Sequence, residues 1–552
     1  MNSGFEEPVM TLNMMDYSSE RDAFRWDPPP RFNFARDVID RWMTQDPYKL
    51  ALFWIDDYGN ERRVSYRELA VRSRQVCNVL TAAGVKRGDT VIVMLPRLVA
   101  WWEIVTACLR LGAIVSPGTS QLAPKDIDYR ITAANAAAFI TDDKNAGKLA
   151  AIAGSARLKV RICVDAARDG WLHYEQAVAA ASDRFDAADT AATDDALCYF
   201  TSGTTGYPKM AIQPQSYGLA HRITGHYWLD LKPSDLHWNL SDTGWAKAAW
   251  SSYFAPLNCG ATLFVHHSET FDPKRTLDIL ARYPITTFCG APTIYRMLVL
   301  QDLLAFKFPH LRHVVGAGEP LNPEVIETWL AATGLTIRDG YGQTESVLLC
   351  ASFPCLTPRF GSMGKPSPGI DLAVIDDDGN VLSPNREGDV AVRVEPTRPP
   401  GLFKEYRGDP ERTQKCFRHG WYLTGDRAFV DADGYFWFVG RADDVINSAG
   451  YRIGPFEVES ALLEHPAVVE SAVVSSPDEM RGEVVKAFVV LKPGHDGSDA
   501  LVKALQEHVK TVTAPYKYPR KIEFVAALPK TVSGKIRRIE LREREWGKAP
   551  HA

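Results

Sequence analysis

The chain has 552 residues, 45% hydrophobic and 24% charged, with 63 basic against 68 acidic side chains and a net charge of −5. That length calls for two or more domains, and the composition is that of a globular protein with a large core. The mild acidity argues against a nucleic-acid surface, and no apolar run approaches the 18 residues of a membrane span.

The opening Met1-Asn-Ser-Gly-Phe-Glu-Glu7 has neither the basic flank and apolar run of a secretory signal nor an arginine-rich transit look. Nine cysteines are scattered without a C-x-x-C pair, so they read as reduced, buried and not metal-binding. A cytoplasmic protein is expected from these features. Residues 1–40, punctuated by Asp27-Pro-Pro-Pro30, read as an arm over the surface.

Thr90-Val-Ile-Val-Met-Leu95 predicts a strand, Trp101 to Leu111 a helix and Gly112-Ala-Ile-Val-Ser-Pro117 the next strand, a βαβ unit. Further strands are predicted at Ala138–Thr141, Val160–Val164, Ala261–Val265 and His313–Val315, and this alternation to about residue 345 implies parallel sheets covered by helices.

Within it, Ala196-Leu-Cys-Tyr-Phe200 reads as a buried strand running into Thr201-Ser202-Gly203-Thr204-Thr205-Gly206-Tyr-Pro-Lys209. Glycines let backbone N–H groups approach phosphate oxygens, hydroxyls add donors, and the lysine supplies a point charge. The spacing is not that of a Walker A loop, which excludes a P-loop kinase.

From 361 to 440 short strands and turns (Asp376-Asp-Asp-Gly379, Asp431-Ala-Asp-Gly434) predict an antiparallel subdomain. Beyond Arg441, strands at Val468–Ser475 and Val484–Leu491 accompany helices at Pro455–Glu464 and Ala500–Val512, enough for a small domain.

Taken together with Ser241-Asp-Thr-Gly-Trp245, Gly316-Ala-Gly318-Glu319-Pro320, Gly340-Tyr341-Gly342-Gln343-Thr344-Glu345, Tyr422-Leu-Thr-Gly-Asp426, Gly440-Arg441-Ala-Asp-Asp444, Pro529-Lys-Thr-Val-Ser-Gly-Lys535 and Ala514-Pro-Tyr-Lys-Tyr-Pro-Arg-Lys521, the loop resembles the adenylate-forming superfamily over nearly the whole chain. It is most similar there to the medium-chain acyl-CoA synthetases.

The resemblance implies an α/β fold: a large N-terminal domain, 1–442, of stacked βα sheets with an antiparallel β subdomain, and a small mobile α+β lid, 443–552. It implies ATP, Mg²⁺ and coenzyme A, with acyl-AMP and pyrophosphate formed first and the acyl group then passed to the thiol. ATP and AMP would be held by the 201–209 loop, Gly318, Glu319, Pro320, Asp339, Gly340, Tyr341, Gly342, Gln343, Asp426, Arg441 and Arg452. Lys535 would offset the charge of the first step with Thr344 and Glu345 beside it, Glu345 also ligating the metal. Asp443 would be the hinge.

For coenzyme A the resemblance points to Ala449, Gly450 and Tyr451 near the thiol, and to Gln121, Arg481, Lys510, Tyr518 and Arg520 around its charged end. Trp245 would line the acyl pocket. Gly342 stands where acetate enzymes carry a tryptophan and so leaves room for longer or bulkier acids, and the aromatic set Trp238, Trp245, Trp250 and Tyr253 leaves aryl and branched acids open. Lys247 either meets a second polar group on the acid or, the favoured reading, points outward. Loading of a separate carrier protein and a silent nucleotide-binding regulator are the alternatives. A homodimer is allowed; nucleic acid and membrane span are not expected.

Overall fold

The computed structural model describes residues 11–150, 152–201, 208–448, 451–478, 481–531 and 535–547. Ser202, Gly203, Thr204, Thr205, Gly206, Ala449 and Gly450 lie outside these, as does the side chain of Arg452.

Two large mixed sheets form the N-terminal body. In one, the strands run in the order Lys365–Pro366, Leu348–Ala351, Ile337–Gly342, His313–Ala317, Thr287–Gly290, Leu236–Asn239, Thr262–His267, Leu50–Asp56, Glu61–Ser65. The other runs Glu405–Arg407, Lys209–Pro214, Asp195–Thr201, Ile114–Pro117, Thr90–Met94, Ala136–Thr141, Val160–Cys163, Leu172–His173. The inner strands are parallel and their side chains buried on both faces, which is why they read as continuous apolar runs. The Val99–Leu111 helix is buried along its whole length between these layers.

The hydroxyl-rich loop does follow a strand, but it joins antiparallel partners: Thr201 faces Lys209 across a hairpin rather than opening a helix. The N-terminal arm is more than a wrapping. Phe32 and Phe34 are buried in the main core, and Trp26 Nε1 donates to the Gly369 carbonyl at 2.7 Å.

Strands Leu372–Ile375, Gly388–Arg393, Trp421–Val430 and Phe436–Arg441 make the antiparallel subdomain. The small domain pairs Val468–Asp478 with Gly482–Leu491 and adds Lys521–Phe524 in parallel, with helices Pro455–Leu463 and Asp499–Val512 packed together. Asn322 Nδ2 donates to Ser460 Oγ at 3.1 Å, and the rings of Phe438 and Phe456 meet edge-on, so the small domain rests against the large one beside the 316–320 turn.

All nine cysteines are unpaired; Cys259, Cys355 and Cys416 are only partly buried, the rest fully. Among the described residues, no helix is long and apolar enough to cross a membrane.

Candidate active site

The site lies where the ends of strands His313–Ala317 and Ile337–Gly342 meet the antiparallel subdomain and the small domain. Gly318 turns the chain at φ +116°, a conformation glycine adopts freely. Glu319, just past it, pairs with Arg296 at 3.2 Å, a partner that no motif announces.

Asp426 and Arg441 face each other across the Trp421–Val430 and Phe436–Arg441 strands, and Arg441 Nη1 donates to Asp426 Oδ1 at 3.0 Å. The other carboxylate oxygen accepts from Tyr341 Oη at 2.5 Å and Gln343 Nε2 at 2.7 Å. Burial raises the Asp426 pKa, with Arg441 and these donors pulling the other way. The carboxylate is therefore held in one orientation, with both oxygens already accepting from protein donors.

Glu345 Oε1 accepts from Tyr406 Oη at 2.7 Å, and the Lys209 ammonium lies 4.9 Å from the centre of the Tyr406 ring. Burial lowers the Lys209 pKa. Thr344 presents its carbonyl to Gln213 Nε2 at 2.6 Å. Thr201 Oγ1 is buried without a partner among the described residues, at the mouth of the 202–207 loop.

A divalent cation fits this corner in one way. Among the described residues, Glu345 keeps one oxygen without a hydrogen-bond partner and no group of three or more His, Cys, Asp or Glu side chains could hold a metal ion. A single carboxylate completed by phosphate oxygens and water is the usual Mg²⁺ arrangement.

Lys535 comes from the small domain. Lys535 is exposed at its own surface, yet the surrounding protein lowers its pKa by desolvation, opposed first by Glu319 and Asp426 and also by Glu345. The charges of carboxylates from three different segments of the large domain thus act on this lysine.

Lys247 does not point outward. Its ammonium donates to the carbonyls of Gly290 (2.8 Å) and Ala317 (2.6 Å), tying together the ends of two neighbouring strands, and burial lowers its pKa. Asp339 nearby accepts from its neighbour's Gly340 N–H at 2.9 Å, and burial raises its pKa to about 7.

The room expected at Gly342 is already taken. A Cβ there would stand 2.2 Å from Trp250 Cη2, and Trp250 Nε1 is fixed by a 2.8 Å bond to Tyr217 Oη. Trp250, from the π-helical turn Trp250–Phe254, fills the space beside Gly342.

On the small domain, Lys510 and Arg520 flank the Tyr518 ring at 4.4 and 4.8 Å. Tyr451 stacks on Tyr516 at 4.3 Å, both exposed. Arg481 stands at the edge of the Gly482–Leu491 strand, its N–H bonded to Asp478. Gln121, exposed on the large domain, makes no described contact with them. Asp443, in the turn after Arg441, presents its carbonyl to Arg542 Nη1 at 2.5 Å, and Asp444 takes the same guanidinium at 2.7 Å.

Tyr406, Arg296 and Gln213 are the site residues that sequence reasoning missed; each reaches the site through a contact distant in sequence.

The AMP-binding enzyme family model matches residues 39–406, and the model of the AMP-binding enzyme C-terminal domain matches 457–535. The chain is 50% identical over 545 residues to the human protein "Acyl-coenzyme A synthetase ACSM3, mitochondrial", covering 97% of this chain and 93% of that one. It is 49% identical over 531 residues to the mouse protein "Acyl-coenzyme A synthetase ACSM5, mitochondrial", covering 94% and 92%. A Brucella canis acyl-CoA synthetase superposes with TM-score 0.73 at 35% identity, over 97% of this chain and 98% of the other. The anthranilate CoA ligase AuaEII in complex with anthranoyl-AMP gives 0.86 at 30%, over 94% and 98%.

The cytoplasmic expectation is corrected by these relatives, which are designated mitochondrial. Compartment depends on an address read by receptors, and cysteine usage and overall composition do not carry it. The chain belongs to the AMP-binding, adenylate-forming enzyme family, as an acyl-CoA synthetase that activates carboxylic acids through acyl-AMP: an AMP-forming acid–thiol ligase.

Proposed function

We propose that the preferred substrates are medium-chain, branched or aryl carboxylic acids, activated in a cleft closed by the 443–552 lid over the 1–442 domain. The observation that carries the reading is the cluster in which Asp426 is held by Arg441, Tyr341 and Gln343, together with Glu345 held by Tyr406.

A carboxylate oxygen attacks the α-phosphorus, the P–O bond to pyrophosphate breaks, and negative charge grows on the phosphoryl oxygens. Lys535 offsets that charge in a cleft where desolvation strengthens it. The Asp426–Arg441 pair sits at the ribose, with the hydroxyls sharing the carboxylate with Tyr341 and Gln343. Lys209 and Thr201 would lie toward the polyphosphate, and Glu345 would hold Mg²⁺, which neutralises phosphate charge when bound.

In the second step the lid turns about Asp443, taking Lys535 away and bringing the 447–454 face to the adenylate. The thiol sulfur attacks the acyl carbonyl, the bond to AMP breaks and the thioester forms. Lys510, Tyr518 and Arg520, already clustered, suit a phosphorylated ribose; Arg481 and Gln121 would join only on rotation.

The test is ATP-dependent AMP formation with acetate to decanoate, benzoate and branched acids, each with and without coenzyme A. Turnover needing both acid and coenzyme A, with acetate poor, is the expected result. Pyrophosphate release without thioester would give the reaction to another acceptor, and best turnover with acetate would overturn the substrate class.

A further inference from the structure

Three segments far apart in the chain meet at Tyr406. The strand Glu405–Arg407 lies antiparallel to Lys209–Pro214, with Tyr406 opposite Ala211 and Arg407 opposite Met210, so it runs beside the strand that Lys209 opens. Just before it, the Phe403 N–H donates to the Glu345 carbonyl at 2.7 Å, the Val347 N–H donates to the Gly401 carbonyl at 3.0 Å, and Leu402 bridges Ser346. The backbone from 401 to 407 thus ties the segment carrying Glu345 to the strand carrying Lys209.

Tyr406 is itself buried and serves both segments at once. Its hydroxyl donates to Glu345 Oε1 at 2.7 Å, and the Lys209 ammonium lies over its ring, 4.9 Å from the centre. Its own N–H donates to Thr413 Oγ1 at 2.9 Å and the Phe403 ring packs on it at 4.8 Å, which holds the side chain in place. Among the described residues Lys209 and Glu345 make no ion pair with each other, although the Glu345 charge acts on the lysine. Opposite charges in one partly desolvated corner attract more strongly than in water, so they close on each other unless something stands between them. Closed, the pair would use up the carboxylate that suits a cation and the ammonium that suits a phosphate. The ring gives the ammonium a negative face and leaves its charge in place.

We propose that Tyr406 is a positioning residue that keeps Glu345 and Lys209 apart, its hydroxyl holding the carboxylate for the divalent cation and its ring holding the ammonium for the phosphates of ATP. The inference rests on the ligase reading above. The hydrogen bond occupies Oε1 and leaves Oε2 without a partner among the described residues, which is the oxygen a cation would take. A group that orients a metal-binding carboxylate without touching the metal still sets its affinity, by about 10–100-fold.

The test measures ATP binding to the whole chain by calorimetry, with Mn²⁺ and with metal withheld by EDTA, and no acid present, so turnover does not enter. The ratio of the two affinities reads the protein's hold on the cation. In Tyr406→Phe, which keeps the ring and loses the hydroxyl, the ratio is expected to fall by about tenfold, and in Glu345→Gln by about as much. The double variant should fall no further than Glu345→Gln alone, because the hydroxyl acts through that carboxylate. In Tyr406→Leu the freed ammonium closes on Glu345, so metal-free ATP also weakens, by about threefold, the worth of one partly exposed ion pair. Adding Glu345→Gln to that chain should restore it. A ratio unchanged in Tyr406→Phe, with both affinities intact or both reduced alike as a loosened site would give, overturns the proposal whether or not Tyr406→Leu folds. So does a loss in Tyr406→Leu that Glu345→Gln fails to restore. Turnover in the acid panel without the expected ratio removes this inference alone, whereas no ATP binding by the unaltered chain removes the reading of the site and this with it.

Discussion

Trp250 occupies the space that a side chain at position 342 would need, its Cη2 standing 2.2 Å from where a Cβ on Gly342 would be. The Val347 carbonyl, 2.6 Å from the same point, closes the other side. The glycine is thus required by packing, and Trp250 bounds the site there. Gly342→Ala is expected to cost about 1–3 kcal/mol, the usual range for overpacking. Adding Trp250→Ala removes the clash but opens a cavity of its own, so it should raise kcat/KM for bulkier acids without restoring stability. Urea unfolding and an acid panel check both; an unchanged stability of Gly342→Ala would contradict the packing.

Lys247→Met removes the cation from the Gly290 and Ala317 carbonyls. Leaving buried acceptors unpartnered costs about 1–3 kcal/mol each. The ends of both strands loosen on the nucleotide side, so KM for ATP should rise more than KM for the acid. Pyrophosphate exchange measured against each substrate separates the two; equal changes would reduce the residue to a general stabiliser.

The buried carboxyl of Asp339 makes stability depend on pH. Its pKa lies near 7 in the fold against 3.8 unperturbed, so the native state binds the extra proton between those values. Stability from this group is complete below about pH 4 and is lost as pH rises through 7. Three units amount to at most about 4 kcal/mol. The Asp339→Asn variant should therefore gain on the unaltered protein in urea midpoint from pH 5 to pH 8. A stability difference independent of pH would refute this.

Much of the fold was legible because parallel strands buried on both faces, such as Thr90–Met94 and His313–Ala317, leave unbroken apolar runs. The nucleotide motifs were legible because each is local: the Asp426–Arg441 pair, 15 residues apart, proves to be one cross-strand rung. Contacts set by sheet order were not. Tyr406 reaches Glu345 over 61 residues because the Glu405–Arg407 strand adds to Lys209–Pro214, and no periodicity records that. Trp250 reaches Gly342 from a π-helical turn, which carries no sequence signature. Lys247 was misread because a lysine near aromatic residues shows nothing of the carbonyls that strand ends present to it.

Arg542 clasps the turn at Asp443 and Asp444 from the last helix of the small domain. Any rotation about Asp443 has to break or carry these bonds. Arg542→Ala should therefore change the thioester half-reaction by about threefold or more while adenylation moves less, since hinge contacts govern exchange between states. Stopped-flow measurement of each half-reaction decides; a larger effect on adenylation would place the pivot elsewhere.

The central claim is that Lys535 serves one half-reaction only. The direct measurement is Lys535→Ala assayed for acid-dependent pyrophosphate release and, separately, for thioester formation from supplied acyl-adenylate and coenzyme A. Adenylation should fall by roughly 10²–10³, the loss expected for one electrostatic contact to the transition state. Thioester formation should remain near that of the unaltered enzyme. Equal loss of both would contradict the account.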